Sequence, residues 1–150
     1  MLKHKLQEDL RQSMLAKDAL RTSVLRMLLS SINYYEIQKG GAGYEATDED
    51  VLSVIQKEVK QRKDSIEQFS RANRQDLVDK ETKESQILQT YLPKQMSEDE
   101  IRRLATNAIQ EAGASSLQDI GKVMGVLMPK VKGKTDGALV SKIVKEHLTR

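Results

Sequence analysis

The stretch LSVIQKEVKQRKDSIEQF, Leu52 to Phe69, decides the fold. Its apolar positions Leu52, Ile55, Val59, Ile66 and Phe69 recur at intervals of three and four once Arg62 is counted in the series. Residues so spaced stack on one face of an α-helix, whereas a strand would alternate at every second position. Arg71-Ala72-Asn73 then offers a turn. Counting outward from that turn across an antiparallel pair sets Phe69 opposite Leu77, Val59 opposite Ile87 and Ile55 opposite Tyr91. The same count sets Arg62 beside Glu81 and Glu84, which predicts an ion pair on the buried side.

The same periodicity extends in both directions. Leu2, Leu6, Leu10 and Met14 mark a first helix. Leu20, Val24, Leu25, Met27, Leu28, Leu29, Ile32 and Tyr35 mark a second, apolar around most of its circumference and so expected at the centre of its bundle. Gly40, Gly41 and Gly43 break the chain as a connector, and Thr47 with Asp50 has capping-box spacing. Leu92-Pro93 ends this region, because proline lacks the amide hydrogen and disfavours a helical residue before it.

A second region opens on Ser97-Glu98-Asp99-Glu100, a further capping box. Ile101, Leu104, Ala105, Ala108, Ile109 and Ala112 form one face, with Gly113 placed as the C-terminal cap. Ser116 and Asp119 start a helix carrying Leu117, Ile120, Val123, Met124 and Leu127 and closed by Pro129. Asp136 caps the last helix, whose Leu139, Val140, Ile143, Val144 and Leu148 face inward. The expectation is an all-α protein: about four helices in an N-terminal domain over 1–93, then a three-helix bundle over 94–150.

Composition excludes several chemistries. There is no cysteine, which removes disulfides, thiolate zinc sites and cysteine nucleophiles together. With one Phe, four Tyr and no Trp the core must be aliphatic, and stacking platforms for single-stranded bases are nearly absent. No apolar run approaches the roughly 18 residues of a membrane span, and the basic start at Met1-Leu2-Lys3 lacks a hydrophobic signal core, so a soluble, cytoplasmic protein is expected. His4 and His147 stand near opposite ends and offer no metal spacing. No serine or threonine has a base marked out for it, and neither catalytic residues nor a cofactor are expected.

Charge is unevenly placed. Residues 1–93 hold 15 basic and 15 acidic side chains, and residues 94–150 hold 10 and 7, which accounts for the net +3. Lys122, Lys130, Lys132, Lys134, Lys142 and Lys145 gather around the loop Pro129-Lys130-Val131-Lys132-Gly133-Lys134. Lysines there suit phosphate contact, and Gly133 permits close backbone approach. A solvated basic loop without a ligand has the same charge pattern. Gly133-Lys134-Thr135 ends like a phosphate-binding loop, but Met128 stands where the first glycine must be and a helix leads in where a strand is needed. Gly121 and Gly125 are spaced for close helix packing inside the bundle.

Two longer stretches carry a resemblance. Gln61-Arg62-Lys63-Asp64-Ser65-Ile66-Glu67-Gln68-Phe69 with Arg71-Ala72-Asn73-Arg74 resembles the signature of the YqeY family of small bacterial proteins. Asp119-Ile120-Gly121-Lys122-Val123-Met124-Gly125, with the run from Met128 to Lys134 and Leu139-Val140, resembles it equally. This second stretch is also similar to the tail domain of the B subunit of glutamine-dependent tRNA amidotransferases. That likeness implies two helical domains, a tRNA-contacting role for Lys122, Lys130, Lys132, Gly133, Lys134 and Lys142, and an inherited label of carbon–nitrogen ligase with glutamine as amido donor. The chain lacks a counterpart of the B subunit's catalytic portion. The expectation is therefore a non-catalytic, bacterial tRNA-binding protein or accessory of a tRNA-processing enzyme. The alternative is a protein–protein adaptor without RNA binding, its partner docking on the N-terminal domain.

Overall fold

A computed structural model of the chain describes residues 1–149, and among them it contains helices, one short 3-10 turn and no strand. Arg150, one of the ten basic residues counted in the C-terminal region, lies outside the described residues. The all-α expectation holds. The chain divides into two compact units, Met1–Leu92 and Pro93–Arg150.

The first unit holds α1 (Leu2–Leu15), α2 (Ala19–Gly40), α3 (Asp48–Arg71) and α4 (Gln75–Gln89). Helices α3 and α4 form a hairpin through Asn73, whose φ of +57° lies in the left-handed region that asparagine tolerates better than most side chains. The Arg74 amide closes the turn on the Phe69 carbonyl at 2.9 Å. Helix α2 packs against α1, α3 and α4. Leu6, Val24, Leu25, Leu28, Ile32, Val51, Val54, Ile55 and Leu88 make the core, with Val59, Ile87 and Tyr91 packed against it.

Arg62 occupies the slot the seam assigned to it. It donates to Glu81 at 3.1 Å and to Glu84, and Arg62 and Glu84 are 7% and 8% exposed. A helical face that buries a guanidinium must supply carboxylates opposite, since an unpaired buried charge is far costlier than a paired one.

The expectation for α2 holds on three sides only. Val24, Leu25, Leu28 and Ile32 are buried, but Met27, Tyr34 and Ile37 are exposed, and so is Met14 of the α1 seam. Three neighbours cover three sides of a helix, and the fourth stays open. Periodicity counts apolar residues without saying how many partners will cover them.

The second unit holds α5 (Glu98–Ala112), α6 (Ile120–Val131) and α7 (Gly137–Leu148), each packed on the other two. Ser97 and Glu100 form the expected capping box, Gly113 ends α5 at φ +64°, and Asp136 accepts from the Ala138 amide at 3.0 Å. Ile101, Ala105, Ala108, Val123, Leu127, Val131, Val140, Ile143, Val144 and Leu148 form an aliphatic core.

Three details correct the sequence reading. Ser116 and Asp119 do form a capping box, but it opens a single 3-10 turn at Leu117–Asp119 that leaves Leu117 exposed, and α6 starts only at Ile120. Pro129 does not close α6, which continues to Val131. Proline removes one bond, to the carbonyl four residues back on Gly125; both residues are exposed, so water can take that acceptor. Gly121 and Gly125 pack against nothing, because they lie on the solvent side of a helix whose buried row is Val123, Leu127 and Val131.

Candidate functional site

The predicted lysine set is spread along the second unit. Lys130, Lys132, Gly133 and Lys134 share the end of α6 and the connection to α7. Lys122 sits at the other end of α6, about 12 Å from Lys130 along the axis at the usual helical rise. Lys142 and Lys145 follow along α7. All six lysines are exposed. Lys130 is held by Glu111 at 3.2 Å, and Lys122 helps hold the Asp119 carboxyl below its ordinary pKa, after the backbone amides of Ser115 and Ser116.

The loop backbone is turned inward. Gly133 is buried at φ +77°, a conformation that favours glycine. Its carbonyl accepts from the Gln95 side chain at 3.1 Å, and the Lys134 carbonyl accepts from the Met96 amide at 2.9 Å. His147 is half-buried, with Nδ1 donating to the Ile143 carbonyl at 3.0 Å.

Beside Glu84, the first unit buries two further carboxylates, Asp50 and Glu36, both held low by their partners. Asp50 accepts from Tyr35 and Lys39 at 2.9 Å each, from Tyr44 at 2.6 Å and from the Thr47 amide at 3.0 Å. The Tyr44 hydroxyl, then Lys39, the Thr47 amide and Tyr35, hold its carboxyl well below the ordinary range against the opposing effect of burial. Glu36 accepts from Lys3 at 2.6 Å and from the Ala46 amide at 2.9 Å, and Lys3 is the main cause of its lowered pKa. Four donors saturate the Asp50 carboxylate. The pair therefore clasps the glycine connector to α3, and Asp50 has no acceptor left for a substrate. Among the described residues no group of three His, Asp or Glu side chains is placed to hold a metal, and no helix is long and apolar enough to cross a membrane.

The site that periodicity missed lies between the end of α1 and the start of α2. Met14, Lys17, Thr22, Ser23, Arg26 and Met27 line an open groove of about 630 Å³. Met14 and Met27 are 49% and 53% exposed, and Leu15 beside them is 67% exposed. Sequence reasoning placed both methionines inside. The signal that could have found them was the turn itself: α1 stops at Leu15 and α2 begins at Ala19, so the last α1 seam position projects beyond the bundle that would cover it.

Comparison with known proteins adds the lineage. A family model described as Yqey-like protein matches residues 3–148. A Pyrenophora tritici-repentis protein named altered inheritance of mitochondria protein 41, mitochondrial, is 35% identical over 149 residues, which is 95% of this chain and 78% of its own length. Proteins of the same name from Lachancea thermotolerans and Saccharomyces cerevisiae are 40% and 30% identical, covering 74% and 94% of this chain and 59% and 80% of theirs. The chain spans 45–59% of the length of three of the curated relatives it matches.

These relatives overturn the expectation of a bacterial, cytoplasmic, tRNA-binding accessory. They are fungal proteins whose names point to mitochondria, and the inherited carbon–nitrogen ligase label goes with the tRNA reading. Composition could not separate the two compartments, since a chain without cysteine is indifferent to redox conditions. With a match over residues 3–148, the chain belongs to the Yqey-like protein family.

Proposed function

We propose that the chain is a non-enzymatic helical module that recognises a protein partner through its N-terminal unit in a mitochondrial setting. The observation that carries this reading is the apolar surface left open on α1 and α2, with Met14, Leu15, Met27, Tyr34 and Ile37 all exposed. Exposed apolar patches on otherwise charged surfaces mark interaction sites, and methionine adapts its shape to a partner. The saturated Asp50 carboxylate, and Glu36 tied to Lys3 and the Ala46 amide, argue against chemistry in the same unit. The relatives' names support the mitochondrial setting.

Complementation tests the reading. The chain, directed to mitochondria, should restore normal mitochondrial inheritance in yeast lacking its relative. The Met27→Asp variant should fail although folded, and a variant with Lys130, Lys132 and Lys134 changed to Gln should succeed. The reverse pattern would move the function to the second unit and sink the proposal.

A further inference from the structure

The groove carries a charge as well as an apolar floor. Lys17 and Arg26 line it, no acidic residue does, and neither cation has an ion-pair partner among the described residues. Ala19 and Ser23, both small, line the groove with them and leave room for a bulky element to approach. Beyond Ser30 on the same face of α2, Tyr34 and Ile37 are also exposed, seven and ten residues past Met27, and the three apolar side chains lie within about 80° of one another around the axis. Met27 to Ile37 spans about 15 Å at the usual helical rise, long enough to take anchors at i, i+3 or i+4, and i+7 of a ligand helix, which span about 10.5 Å.

We infer that this groove docks an amphipathic helix bearing acidic residues beside its apolar face. The inference rests on the protein-recognition reading above and names the partner's chemistry. Two unpaired cations at the edge of an apolar floor select carboxylates by complementarity, and they oppose a basic helix by like-charge contact. A second copy of the chain fits less well, because a two-fold contact through this groove would set Lys17 and Arg26 against themselves. A membrane surface would call for a larger basic cluster than two residues.

The test titrates the full chain with two fluorescent peptides, each roughly four helical turns long. Both carry the same leucine face, one flanked by Glu and the other by Lys, and anisotropy reads binding. The acidic peptide should bind at least about tenfold more tightly than the basic one, the scale expected for a few complementary charges. Lys17→Glu with Arg26→Glu should reverse that preference, and Met27→Asp should weaken both. All three positions are exposed, so tyrosine fluorescence should show the N-terminal unit intact. Equal, Met27-dependent binding of the two peptides would overturn the acidic assignment and leave protein recognition standing. Binding of neither would also overturn it, with complementation deciding the broader reading. A dimer in sedimentation that Met27→Asp dissociates would overturn it in favour of a second copy.

Discussion

Six polar or charged side chains are buried in the first unit, Ser13, Glu36, Asp50, Arg62, Glu84 and Ser85, against Thr135 alone among the described residues of the second. Both units are helical bundles of similar periodicity, yet they close their cores differently. The first is assembled from long helices whose seams admit an arginine and two clasped carboxylates. The second is a small aliphatic core with its charge left outside. Buried ion pairs add little net stability but are costly to break one-sidedly, so the first unit is specified by pairing and the second by packing.

The largest expected effect is on the pairing side. Arg62→Ala leaves Glu84 buried with Lys80 at 3.9 Å as its nearest remaining cation, and should destabilise the first unit by about 3–5 kcal/mol. All four tyrosines, Tyr34, Tyr35, Tyr44 and Tyr91, belong to this unit, so urea unfolding followed by tyrosine fluorescence reads it directly. Replacing the pair together, Arg62→Met with Glu84→Leu, should recover most of the loss. If it does not, pairing is not what specifies this seam.

The matching cut in the second unit is Leu127→Ala, expected to cost about 3 kcal/mol as lost burial plus a cavity. Circular dichroism should record it while the tyrosine signal stays in place; a shift in both would break the contrast.

Acid should separate the units next. Asp50 and Glu36 have folded pKa values below their unfolded ones, so in acid the native state binds fewer protons than the unfolded chain. Their contribution is complete only about a unit above the unfolded values of 3.8 and 4.5, near pH 5.5, and is lost as pH drops through the depressed values. The tyrosine-reported stability should therefore fall on acidification below that point. Asp50→Asn should flatten this limb and cost about 1–2 kcal/mol at neutral pH, through lost capping and charge-assisted bonds.

The smallest effect expected is Ser97→Ala, about 1 kcal/mol, because it removes one half of an exposed capping box from α5.

How much was legible in advance follows the same division. Local rules carried the α3–α4 hairpin, the Arg62 pairing with Glu81 and Glu84, and the caps at Thr47, Ser97 and Asp136, because each depends on residues a few positions or one turn apart. Exposure is a property of neighbours. Met14 and Met27 fit their seams by spacing and still face outward, and Gly121 and Gly125 fit a packing motif and touch nothing. Pro129 shows the converse, a breaker tolerated in a last turn where solvent meets the freed carbonyl. The groove was missed for the same reason: apolar spacing does not mark where α1 stops at Leu15, and only the turn before Ala19 could have signalled it.

If recognition belongs to the first unit, its methionines give the most direct measurement of it. Met14 and Met27 flank the groove, whereas Met96, Met124 and Met128 lie in the second unit. With methyl-labelled methionine, titration of the acidic helical peptide should move the Met14 and Met27 resonances and leave those three in place. Shifts at Met96, Met124 or Met128 with Met14 and Met27 unmoved would contradict the account.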